Sequence, residues 1–146
     1  MDVPVVINTS PISFVTPRGL LIQEACDWIG TPYVFGGDSE DGIDCSHFVY
    51  QVYHKIIPTF SYLWATQYLT SPRFKQVPEP AIADVIYWAP PAGDSSGHVA
   101  IVVDPVACTF IGAQTSTGVA IASYTGNGYW AGRLSRRYFR CKELVL

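Results

Sequence analysis

Residues 36–49 read Gly36-Gly37-Asp38-Ser39-Glu40-Asp41-Gly42-Ile43-Asp44-Cys45-Ser46-His47-Phe48-Val49. The first seven are turn formers and predict a polar loop. Asp44 is well placed as an N-cap, and Phe48, Val49, Val52 and Tyr53 recur at helical spacing, so a helix is predicted to begin near Cys45. Pro58 ends it. A cysteine at that point meets free backbone N–H groups and the positive end of the helix dipole. Both favour a thiolate and predict a lowered pKa, and the same N–H groups can stabilise an oxyanion.

Upstream, Leu21, Ala25, Trp28 and Ile29 predict a first helix from about Arg18 to Ile29, stopped by Gly30 and followed by Pro32. Residues 1–17 carry Pro4, Pro11 and Pro17 and read as an extended arm before a single domain spanning 18–146. Downstream, a short helix is expected around Leu63–Leu69. From Ala81 the chain turns to short β-branched and aromatic runs: Val85–Trp88, Val99–Val103, Thr109–Ala113, Val119–Ser123 and a last strand from about Arg137 to Leu144. Helices first and strands later predict an α+β domain, with N-terminal helices packed on an antiparallel sheet.

A nucleophilic thiol needs a base within reach. His98 opens the strand Val99–Val103, beside the polar turn Asp94-Ser95-Ser96-Gly97, at an edge where a cleft can form. His54 lies on the helix of Cys45 roughly 13 Å along its axis, and His47 points to a different face. An orienting third group is expected on the next strand, where Gln114 is the best polar residue; its amide oxygen can accept the far imidazole N–H. A simple turn residue is the bland alternative for Gln114.

Composition narrows the classes. Hydrophobic residues make up 49% of the 146 and charged residues 14%, enough apolar material for a core. The net charge of −3 argues against a nucleic-acid binder. Arg133, Arg136, Arg137, Arg140 and Lys142 are expected on the solvent side of the last strand. The four cysteines form no CxxC pair, and with three histidines they predict no metal site and no cofactor. Cys26, Cys108 and Cys141 read as buried free thiols in helix or strand interiors. No run is long and apolar enough for a membrane span, and the N-terminus lacks the pattern of a cleavable signal. The expectation is a chain that stays in the cytoplasm, leaves by a route without a cleavable signal, or has been trimmed.

The blocks Gly30-Thr31-Pro32-Tyr33-Val34-Phe35-Gly36-Gly37, Gly42-Ile43-Asp44-Cys45-Ser46-His47-Phe48-Val49 and Gly97-His98-Val99-Ala100-Ile101-Val102 together resemble the NlpC/P60 cell-wall peptidases. Ala83-Asp84, Phe110-Ile111-Gly112, Thr115–Val119 and Tyr129-Trp130 also have counterparts, so the likeness covers about residues 18–140. It implies a papain-like fold, with Cys45 as nucleophile and His98 as base. It implies attack on an amide of the peptidoglycan stem peptide, usually the bond from D-γ-glutamate to a diamino acid. Tyr33 would contribute to the acyl or oxyanion pocket, and Asp44 and Ser46 would contact the substrate's amino end. Two positions depart from the pattern. His47 replaces a usual Gly, which predicts a narrower cleft. Gly112 stands where relatives often carry a third catalytic His, so Gln114, water or a backbone carbonyl would fill that role.

Other readings share this architecture: an amidase cutting between muramic acid and L-alanine, or a degraded site serving a phage or secretion assembly. A compact wall hydrolase also resembles an antibacterial effector or phage lysis component. An effector would bring an immunity protein as a partner.

Overall fold

A computed structural model describes residues 15–91, 97–133 and 135–144. Most of the expected N-terminal arm and the Asp94–Ser96 turn lie outside these residues. Helix α1 is Pro17–Cys26, with Thr16 as its N-cap and Pro17 in its first turn. It ends three residues before the expected Ile29, and single-turn hydrogen bonds carry the chain on to Thr31. Strands β1 (Asp38–Ser39) and β2 (Gly42–Ile43) form a small hairpin inside the polar loop. Helix α2 is Cys45–Ile56, capped by Asp44, and a 3-10 turn spans Ala65–Leu69.

Six strands follow: β3 (Phe74–Val77), β4 (Val85–Trp88), β5 (His98–Asp104), β6 (Thr109–Gln114), β7 (Gly118–Ser123) and β8 (Arg136–Cys141). They form one antiparallel sheet in the order β3-β8-β4-β5-β6-β7. β3 carries no signal in the sequence. Its Phe74-Lys75-Gln76-Val77 has too little alternation to be read locally, and pairing with β8 makes it a strand.

The sheet alternates its side chains, and so it has two cores. Leu21, Ala25, Phe48, Val49, Val52 and Tyr53 of the helices bury against Val85, Tyr87, Val99, Ile101 and Ile111 on one face. Ile86, Trp88, Ala100, Val102, Phe110 and Tyr124 form a smaller cluster on the other, with Trp130 and Tyr138 packed against it. The expected α+β architecture is therefore what the chain adopts.

The last strand differs from its expected solvent-facing role. Asp84 is fully buried, and Arg140 and Arg18 both pair with it, at 2.8 and 3.1 Å. A buried carboxylate needs such partners, since an unpaired charge is costly to desolvate. The pair ties α1 and β8 to the start of β4. All four cysteines are free. Cys141 is buried, but Cys26 and Cys108 are half-buried, and Cys108 sits in a turn at φ 59° just before β6 rather than in a strand.

Candidate active site

Asp44 fixes the position of Cys45 from both sides. Its Oδ1 accepts the His47 backbone N–H (2.9 Å), closing the N-terminus of α2. Its Oδ2 accepts the Gly36 N–H (2.9 Å), which pins the preceding loop to the helix. The loop can come so close only because residue 37 is glycine: a Cβ there would stand 2.5 Å from the Gly42 carbonyl oxygen. Cys45 is thereby fixed at the first position of α2, beside Tyr33, whose backbone bridges to Ile43.

Cys45 and His98 line one cleft of about 560 Å³, together with Tyr33, Asp44, Ser46 and Gln114. All six residues expected at the site thus reach the same space. His47, expected on a different helix face from Cys45, lines the same cleft, as do Tyr62, Trp64, Tyr129, Trp130 and Arg133, to which the sequence assigned no role in the site.

The electrostatics overturn one expectation. The Cys45 thiol is pushed up to about 11, not down. Burial is the main cause and the Asp44 charge adds to it, while backbone N–H groups of Val99, Ser46 and Cys45 pull the other way without winning. His98 is pushed down to about 3, first by burial and then by the Arg133 charge. Each group is held neutral, because desolvation penalises whichever form carries charge.

The third position is also not as expected. Gln114 is buried, but its Oε1 accepts the indole N–H of Trp130 at 2.5 Å. That indole stacks on His98, ring centroids 4.3 Å apart and planes 15° from parallel. His98 Nε2 is buried with no hydrogen-bond partner. A Cβ on Gly112 would lie 3.8 Å from that nitrogen, but also 2.8 Å from the Ala100 Cβ, so a side chain there would force the strands apart. Gln114 therefore reaches His98 through Trp130, and not by the direct hydrogen bond expected from the sequence.

At the cysteine end, the Ser46 hydroxyl hydrogen-bonds Tyr62 (2.7 Å) and Asp44 (3.2 Å). His47 stacks on Tyr62 at 4.3 Å, and its Nδ1 lies 2.8 Å from Asp44 Oδ1. The His47 imidazole thus forms part of the cleft wall. Arg133, expected on the surface of the last strand, stands in the loop before β8 and faces the cleft. No local pattern marks it, because its partner Ala89 lies 44 positions away in the chain.

A thiol at a helix N-terminus, a histidine at a strand end and an α+β frame define a papain-like thiol hydrolase. The chain belongs to the NlpC/P60 family, which matches residues 30–138. That makes it a cysteine peptidase of the peptidoglycan-hydrolase class. It is 29% identical over 112 residues to a probable endopeptidase of Haemophilus influenzae, covering 77% of this chain and 68% of that protein. It is 31% identical over 121 residues to a gamma-DL-glutamyl hydrolase of Bacillus subtilis, covering 79% of this chain but only 27% of the relative. The NlpC/p60 domain of the peptidoglycan hydrolase SagA superposes with a TM-score of 0.61 at 26% identity, covering 84% of this chain and 96% of that one. Among the described residues no helix is long and apolar enough to cross a membrane.

Proposed function

We propose that the chain hydrolyses an amide in peptidoglycan stem peptides, at the bond from D-γ-glutamate to the diamino acid, with Cys45 as nucleophile and His98 as base. The observation that carries this is the shared cleft: one thiol at a capped helix start and one neutral imidazole line the same space. The likeness to a gamma-DL-glutamyl hydrolase supports the choice of a γ-glutamyl bond.

In this reading the neutral imidazole takes the Cys45 proton as sulfur attacks the carbonyl carbon. Charge separation then forms during attack rather than before it. The developing oxyanion is held by N–H groups at the start of α2. The tetrahedral intermediate collapses as His98 gives its proton to the leaving nitrogen, releasing the diamino-acid fragment as a free amine. Water, activated by the same imidazole, then hydrolyses the thioester. Tyr33, Asp44 and Ser46 shape the acyl side, and the peptidoglycan layer is the place of action.

Digestion of purified muropeptides followed by mass spectrometry tests the reading. A cut leaving a dipeptide that ends in D-glutamate supports it. Release of the intact stem peptide from muramic acid would instead make the chain an amidase. No cleavage at all would overturn the enzymatic reading.

A further inference from the structure

Arg133 is a cation in the cleft that pairs with no carboxylate among the described residues. Its Nη2 donates to the Ala89 carbonyl at 2.7 Å and its Nη1 to the Tyr129 hydroxyl at 3.2 Å. The guanidinium lies over the Tyr129 and Trp130 rings, 5.8 and 5.5 Å from their centroids. Two neutral oxygens and two ring faces hold it; none is a carboxylate. Among the described residues the ion pairs fall to Arg18, His47, Arg73 and Arg140. A guanidinium has five N–H donors, so Arg133 keeps donors to spare after these two bonds. Preorganised and half-buried, it is well suited to a bidentate carboxylate contact.

Its place in the cleft says which part of a substrate it meets. The 5.5 Å from guanidinium to Trp130 and the 4.3 Å from Trp130 to His98 bound its separation from the imidazole at about 10 Å. In thiol hydrolysis the base hands its proton to the leaving nitrogen. Arg133 stands on the base's side of the cleft, behind the Trp130 ring that covers His98, while Asp44 and Ser46 flank Cys45. The fragment that takes its proton from His98 is therefore the one nearest Arg133, and Asp44 and Ser46 are nearest the acyl fragment. We propose that Arg133 is the specificity residue of the leaving-group subsite and receives a carboxylate carried by the leaving amino acid. This rests on the endopeptidase reading above. A leaving diamino acid offers that group from either of two sources: its own α-carboxylate when it ends the peptide, or a second carboxylate at the end of its side chain.

Binding there also helps the chemistry. The Arg133 charge opposes protonation of His98. A carboxylate laid on the guanidinium cancels that opposition and makes the imidazole a better proton acceptor during attack. The cleft is then electrically polar, with an acid on the acyl side and a base on the leaving side.

The test uses three synthetic L-Ala-γ-D-Glu-diamino acid peptides, all with the D-Glu α-carboxylate free: one with both diamino-acid carboxylates free, one amidated at the diamino acid's α-carboxyl, one amidated at its side-chain carboxyl. Wild type is expected to lose at least about 10-fold in kcat/KM on one amidated peptide, and Arg133→Gln to collapse that ratio toward one. Which amide does the damage identifies the source. Equal wild-type rates on all three peptides, or a uniform loss in Arg133→Gln with the ratio intact, would overturn the proposal. Calorimetric binding of the same peptides to Cys45→Ala, with and without Arg133→Gln, reads the same discrimination without turnover. If no peptide is cut, the endopeptidase reading fails, and the binding ratio still decides Arg133: a ratio near one sinks it, a 10-fold ratio erased by Arg133→Gln upholds it.

Discussion

Trp130 lies flat on His98, 4.3 Å from ring to ring, and is itself fixed through its indole N–H to Gln114. The His98 imidazole is held by an aromatic face and not by a direct hydrogen bond from Gln114. Offset stacked rings of this kind are worth roughly 0.5–1.5 kcal/mol beyond their burial, enough to hold a rotamer.

Gln114 and Trp130 should therefore act as one unit. Gln114→Ala is expected to lower kcat by about 10-fold, and Trp130→Phe by a similar factor. In the Trp130→Phe background, which lacks the N–H, Gln114→Ala should cost almost nothing more. A double-mutant cycle on kcat measures this. Strict additivity would mean that Gln114 acts on another group.

Removing the nucleophile should separate fold from chemistry. Cys45 is the first residue of α2, and the cap depends on the Asp44 side chain, so Cys45→Ala should fold normally. Hydrolysis should fall by several orders of magnitude, on the order of 10³-fold or more. Thermal melting and muropeptide turnover on the same sample check both halves. Measurable turnover near the wild-type rate would end the assignment of Cys45.

Acid should act on stability through His98. Its folded pKa is depressed to about 3 against an ordinary 6.5. Above pH 6.5 both folded and unfolded chains hold it neutral, and it adds no pH dependence. Below that, the unfolded chain takes up a proton that the folded chain refuses. Stability then falls with falling pH by about 1.4 kcal/mol per unit, until the folded group titrates. His98→Asn should flatten the curve between pH 6.5 and 4 relative to wild type, read by urea unfolding at several pH values. Parallel curves would mean that His98 is not buried neutral. The same depression predicts a kcat/KM acid limb well below 6.5.

Asp44 carries two backbone N–H bonds, so Asp44→Asn is not the neutral cap swap that a sequence suggests. Asn keeps one carbonyl oxygen for His47, but its NH₂ would face the Gly36 N–H, donor to donor. A loss of about 1–2 kcal/mol in urea unfolding is expected. If Asp44 also reads a substrate amine, wild type should prefer free over N-acetylated stem peptides, and Asp44→Asn should lose that preference. Equal wild-type rates on the two would leave Asp44 as a cap and loop tie only.

The sequence by itself determined the local signals. Asp44 before Cys45, the apolar face Phe48-Val49-Val52-Tyr53, and the β-branched runs around Val85, Val99 and Val119 each carry their meaning within a few residues. Capping, periodicity and turn chemistry are short-range physics. The tertiary structure decided what depends on neighbours distant in the chain. Trp130 reaches His98 across 32 positions and Gln114 across 16. Arg133 enters the cleft only because its loop folds against Ala89. The sign of the Cys45 shift belongs to the same group. A helix N-terminus, visible in sequence, lowers a thiol pKa, but burial, visible only after packing, raises it further. Desolvation is a property of everything that surrounds an atom, and no single segment of chain can reveal it.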